Sequence, residues 1–206
     1  MKKKIILTLL ALAISNVTFA AGIDGLVSRV EGKYSEIKSF QADFVQKTYI
    51  EMLGRNVSKT GKLILAKGNK FRIDYSGEDE NNYISDGKKL WIYTPGDESS
   101  LEAYSLNKSD IPKVALSILS NFKNLKKLFV IKGSNEFTVK GDDYQLLLIP
   151  KKKKDPYSKI VALFNGKDLL IRLKIYNRSG NITDYQFSNL AIDKSTSDAQ
   201  FNLPKF

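Results

Sequence analysis

The chain has no cysteine and no histidine in 206 residues. Without cysteine there is no disulfide, no thiol nucleophile and no thiolate metal site. Without histidine the commonest general base is missing, together with the Ser-His-Asp arrangement and most zinc sites. Carboxylates or lysines would have to carry any catalysis unaided, and no pair of them is nominated by spacing. We therefore expect a protein that is not an enzyme and that needs no cofactor and no metal. Beyond the first twenty residues no stretch is long and apolar enough to cross a bilayer as a helix.

Those first twenty residues have their own logic. Lys2-Lys3-Lys4 is a positive leader, Ile5 to Ile14 a short apolar run, and Thr18-Phe19-Ala20 supplies a small residue at each position a signal peptidase reads. This is the pattern of a secretory signal cleaved after Ala20. Residues 21–206 then suit a single exported, soluble domain. Loss of Lys2, Lys3 and Lys4 lowers the net charge from +11 to +8. Export argues against nucleic acid as the reason for that charge. An anionic membrane surface or an acidic partner fits better.

Helical spacing of Ile23, Val27, Val30, Tyr34 and Ile37 predicts an amphipathic helix over 23–37. The period then becomes two. Phe40, Ala42 and Phe44 alternate with polar neighbours, 61–66 reads as a strand, and Phe71, Ile73 and Tyr75 share one face of the next. Further strands are expected at 101–105, 128–132, 136–140, 144–149, 159–164, 169–176 and 182–190. Between them, Asp110 as N-cap and Pro112 in the first turn open a second helix with Val114, Ala115, Ile118, Leu119 and Phe122 on its apolar stripe. The sum is an α+β fold of about ten to eleven antiparallel strands with helices across one face. A sheet that long tends to curl, and a curled sheet closed by helices makes an apolar container.

The segment 84–93, Ile-Ser-Asp-Gly-Lys-Lys-Leu-Trp-Ile-Tyr, holds the only tryptophan. It reads as a hairpin turning at Asp86-Gly87. That loop sets Ser85 opposite Lys88 and Tyr83 opposite Leu90. One face then carries Tyr83, Leu90 and Ile92, and the other Ile84, Trp91 and Tyr93. A longer, bulged turn would exchange the faces. Trp91 is expected behind the sheet.

Several blocks stand in a suggestive order: Ser39-Phe40-Gln41-Ala42-Asp43-Phe44-Val45-Gln46, Gly61-Lys62-Leu63, Lys70-Phe71-Arg72-Ile73-Asp74-Tyr75, the hairpin segment 84–93, Gly180-Asn181-Ile182-Thr183 and Phe201-Asn202-Leu203-Pro204. In this order the chain resembles the LolA family of periplasmic carriers of outer-membrane lipoproteins, over nearly all of residues 21–206. The resemblance implies an incomplete, unclosed β-barrel with a helical lid and no catalysis. It implies acylated lipoproteins as cargo, a lipoprotein-releasing ABC transporter of the inner membrane as donor, and an outer-membrane acceptor lipoprotein. With no cysteine after the signal, the chain resembles the carrier and not the lipid-anchored acceptor. A monomer in the periplasm is expected.

On this reading the cavity is lined by Tyr34, Ile37, Phe40, Phe71, Ile73, Tyr75, Tyr83, Leu90 and Ile92, with Val114 and Ile118 on the lid. Each of these is equally intelligible as ordinary core. Relatives carry an Arg-Pro pair where Lys67-Gly68 stands here, and the resemblance makes Lys67 the lid latch, without arginine's planar fork. Lys151, Lys152, Lys153 and Lys154 form either a solvated hairpin tip or a docking patch. The alternative function is a periplasmic lipid-sensing regulator of the same fold. Such regulators carry a further domain, which is not expected here.

Overall fold

The computed structural model describes residues 15–77, 80–106 and 122–203, with side chains from residue 22 onward. Its centre is β1 (Ser39–Ile50), which pairs with β2 (Arg55–Ala66) on one side and with β11 (Ile182–Ile192) on the other. The strands β3 (Lys70–Tyr75), β4 (Asn82–Asp86), β5 (Lys89–Thr94) and β6 (Asp97–Ser105) continue from β2 as successive hairpins. From β11 the sheet continues through β10 (Leu170–Asn177), β9 (Tyr157–Phe164), β8 (Tyr144–Pro150) and β7 (Phe129–Gly133). Among the described residues the result is one sheet of 11 strands whose edges, β6 and β7, do not pair. This is the antiparallel sheet that the alternating pattern predicted, and it is open as the resemblance implied.

Phe40, Ala42 and Phe44 point to the inner face of β1, and period two carries that face across the sheet. Register sets Leu65 beside Phe40 and Phe71 beside Leu65. It likewise sets Ile73 beside Leu63 and Tyr83 beside Ile73. Helix α1 (Ser15–Glu36) lays Val27 and Val30, both fully enclosed, on this inner face. It starts earlier than the predicted 23–37. A short helix α2 (Leu125–Leu128), entered through a 3-10 turn at Phe122–Asn124, buries Phe122 and Leu125 beside it.

The hairpin differs in register from the expectation. Ser85 stands opposite Leu90 and Tyr83 opposite Ile92, so the two loop residues are Gly87 and Lys88. Gly87 has φ +95, suited to the first central position of a type II′ turn. Asp86 Oδ1 accepts the N–H groups of Lys88 and Lys89, each at 2.7 Å. The slip is two residues, so the faces hold: Tyr83, Leu90 and Ile92 still share one side.

The outer face is covered in two places. Behind β3 and β4, a 3-10 turn at Asp198–Phe201 buries Phe201 near the fully enclosed Ile84, and Lys70 Nζ binds Asp198 at 2.7 Å. Behind β8–β10, the segment 134–143 buries Phe137 against Val161 and Leu163. A strand was expected at 136–140, and none forms. The Gln145 side chain instead takes both backbone groups of Phe137, accepting its N–H at 2.9 Å and donating to its carbonyl at 2.8 Å. With those groups satisfied by an amide, no ladder partner is required.

Candidate lipid-binding site

The inner face carries one apolar cluster with members from β5 to β8. Nine of the expected lining residues meet on it. Phe40, Phe71, Ile73, Leu90 and Ile92 are buried within a single cluster, and Tyr34, Ile37, Tyr75 and Tyr83 pack against it half-buried. Val114 and Ile118 lie outside the described residues, as does the second helix up to Phe122. Lys67 is exposed, and its backbone N–H donates to the Lys38 carbonyl at 3.0 Å. Gly68 beside it has φ +81, a backbone that proline, fixed near −65°, cannot adopt. The turn is therefore built differently from one closed by Arg-Pro.

Sequence reasoning left half of the inner face unassigned. Under α1, the Tyr34 and Phe122 rings lie 4.9 Å apart, Phe122 meets Phe164 edge-on at 5.4 Å, and Phe164 stacks on Tyr144 at 5.5 Å. The Tyr34 hydroxyl accepts the Leu170 N–H at 2.9 Å. The Tyr144 hydroxyl donates to Asp168 at 2.6 Å, and Arg29 grips the same carboxylate through two nitrogens. Burial opposes ionisation of Asp168, but hydrogen bonds from Arg29 and Tyr144 outweigh it and hold the carboxyl below its ordinary range. Alternation at Ile160, Ala162 and Phe164 was the available signal for this half.

On the other half, Phe44 meets Tyr75 edge-on at 5.3 Å and Tyr185 at 6.0 Å, and Tyr185 stacks on Phe187 at 6.1 Å. Gly61 makes room for this: a Cβ there would sit 2.6 Å from the Phe44 ring and 2.5 Å from the Asp74 carbonyl. Burial raises the phenol of Tyr75 and pushes that of Tyr185 up to about 12. Both hydroxyls stay protonated and neutral at neutral pH.

Lys151–Lys154 are exposed at the β8–β9 tip. Lys151 Nζ caps the Lys126 carbonyl of α2 at 2.6 Å, and Arg178 of the β10–β11 turn donates to the Asp155 carbonyl at 3.0 Å. The β1–β2 turn, carrying Met52, Leu53 and Arg55, adjoins the same end, with the Glu51 N–H donating to Asn181 at 2.9 Å. Topology thus gathers cations along one rim from the β8–β9 tip, the β10–β11 turn and the start of β2.

An open half-barrel whose inner wall is aliphatic and aromatic defines a binding protein for apolar or amphiphilic ligands. The chain belongs to the LolA family, described as outer membrane lipoprotein carrier protein LolA, which matches residues 35–204. It is 29% identical over 210 residues to an outer-membrane lipoprotein carrier protein of Histophilus somni, covering 100% of this chain and 95% of that one. It is 26% identical over 203 residues to a protein of the same name from Francisella tularensis subsp. novicida, covering 98% and 92% respectively. Among solved structures, the lipoprotein LppX of Mycobacterium tuberculosis shares the fold, with TM-score 0.50 and 11% identity over 89% of this chain and 99% of that one. The family is one of carriers, so the protein is not an enzyme. Among the described residues no helix is long and apolar enough to cross a membrane.

Proposed function

We propose that residues 1–20 are an export signal and that residues 21–206 form a periplasmic carrier holding the acyl chains of lipoproteins against the inner face. The single observation that supports this most is the large apolar cluster on the inner face of an open sheet in a chain that the carrier family matches over residues 35–204. Each CH₂ withdrawn from water contributes ~0.8 kcal/mol, so one long acyl chain left in water costs on the order of 10 kcal/mol. A carrier must cover that surface and still release it. Side chains that shift rotamers on an unclosed sheet meet both needs. In this proposal a lipoprotein-releasing ABC transporter of the inner membrane loads the cargo, and an acceptor at the outer membrane receives it. Native mass spectrometry of protein purified from its own periplasm is expected to show a bound acylated lipoprotein. Protein that stays cargo-free, and that frees no lipoprotein from spheroplasts bearing a competent transporter, would reject the proposal.

We further assign Lys151–Lys154, with the neighbouring cations of the same rim, to docking on an anionic surface during loading. Near such a surface each lysine contributes ~1 kcal/mol at low salt. Replacing all four by glutamine is expected to slow loading at low salt and to leave it unchanged at high salt, where screening removes the attraction. Unchanged loading at low salt would return these lysines to solvated surface.

A further inference from the structure

The inner wall changes chemistry along β1. Phe40, Ala42 and Phe44 are buried and apolar, whereas the next two inward positions are Gln46 and Thr48. At this level β11 supplies Tyr185 and Thr183, and β2 supplies Lys59 beside the apolar Val57. Gln46 stands between Tyr185 of β11 and Lys59 of β2, and Thr48 stands opposite Thr183. Directly opposed residues share a face, so these side chains form a band across the inner wall. They are linked: the Tyr75 hydroxyl donates to Gln46 Oε1 at 2.7 Å, Gln46 Nε2 donates to Thr48 at 3.1 Å, and the Thr48 hydroxyl donates to Thr183 at 3.4 Å, which leaves Thr183 its own proton. The Lys59 ammonium lies 5.7 Å above the Tyr75 ring while pairing with Glu80.

The inventory of this band is rich in donors. A glutamine amide has two N–H donors and one serves Thr48; a hydroxyl that accepts from its neighbour keeps its own proton; an ammonium has three donors. Esters offer only acceptors. From Gln46 back to Phe40 the strand supplies roughly 20 Å of apolar track, comparable with an extended long acyl chain.

We propose that Gln46, Thr183 and Lys59, with Thr48 orienting the Thr183 hydroxyl, form a subsite for the ester carbonyls of an O-acylated glycerol, fixing the depth to which its acyl chains enter. This rests on the carrier reading above. The subsite selects an esterified amphiphile over a plain hydrocarbon of the same length. Its wall of protonated tyrosines, Tyr75 and Tyr185, keeps the band neutral apart from Lys59.

The test compares two probes of equal chain length, a diacylglycerol and its dialkyl-ether analogue, which lacks the carbonyls. Wild-type protein is expected to bind the ester about five- to tenfold more tightly, the worth of one to two net hydrogen bonds. A Gln46→Leu, Thr183→Val variant is expected to lose that preference while binding the ether as before. Equal binding of ester and ether by wild type overturns the subsite and leaves the carrier reading intact, and this comparison needs no variant to fold. A preference undiminished in the folded variant also overturns it. Failure to bind either probe rejects the apolar wall as a lipid site, and the subsite with it.

Discussion

Gly87→Ala is expected to destabilise the protein by about 2–5 kcal/mol, which for a chain of this size lowers Tm by roughly 4–20 °C. Two costs add. An L-residue at φ +95 pays about 1–2 kcal/mol for the left-handed backbone. A Cβ at Gly87 would also lie 2.1 Å from the Gly68 carbonyl oxygen, a backbone atom that no rotamer moves away. Relieving that collision means parting the β2–β3 and β4–β5 turns, in the range of about 1–3 kcal/mol seen for overpacking. Gly96 is the internal control. It has φ +83 and nothing within 4 Å of its added Cβ, so Gly96→Ala pays the backbone cost alone. Denaturant unfolding of the two variants side by side isolates the collision. Equal losses would show that the two turns move apart freely.

That collision explains why the most recognisable block of the sequence has its form. Ser85 Oγ accepts the Gly87 N–H at 3.0 Å, Asp86 satisfies the two N–H groups that follow, and glycine is the residue that passes beneath Gly68. The alternation around the turn was legible, because period two fixes faces however many residues the loop takes in even steps. The register was not, because a two-residue slip leaves the pattern of faces unchanged. Both faces of the hairpin find cover, one on the inner wall and the other near Phe201, as the apolar character of each required.

Other parts depended on partners distant in the chain. Phe137 and Val139 alternate as a strand would, yet Val139 is exposed and Phe137 is pinned by an amide on β8 with the Arg172 guanidinium 4.3 Å above its ring. Nothing local to 136–140 announces Gln145. The pairing of β1 with β11, which closes the sheet's middle, joins segments about as far apart as the fold allows. Its bulge between Gln41 and Asp43 is held by Asn189, at φ 51, donating to Asp43 at 2.6 Å. The lining expected on β3–β5 came from visible alternation. The Tyr34, Phe122, Phe164 and Tyr144 rings come from four separate elements, so their contact exists only in the folded chain.

Those four rings carry the second large effect. Phe164→Ala is expected to cost about 3–5 kcal/mol. Phe164 is fully enclosed, and its ring touches both Tyr144 and Phe122. Truncation removes the transfer energy of the ring and leaves a void that the sheet, held by β8 and β10 on either side, cannot collapse into. Phe164→Leu keeps most of the volume and is expected to cost under about 1.5 kcal/mol. The consequence for α1 follows from the contacts. Tyr34 rests on Phe122, which rests on Phe164, while Tyr144 holds the Asp168 that Arg29 grips. Losing the central ring loosens both attachments of the helix and leaves the β1–β3 ladders untouched. Hydrogen exchange in Phe164→Ala is therefore expected to accelerate across 23–36 well before it does across β1–β3. Uniform acceleration would mean that α1 and the sheet open as one unit. In that case cargo would enter by a movement of the whole fold, and not by the helix swinging from a standing sheet.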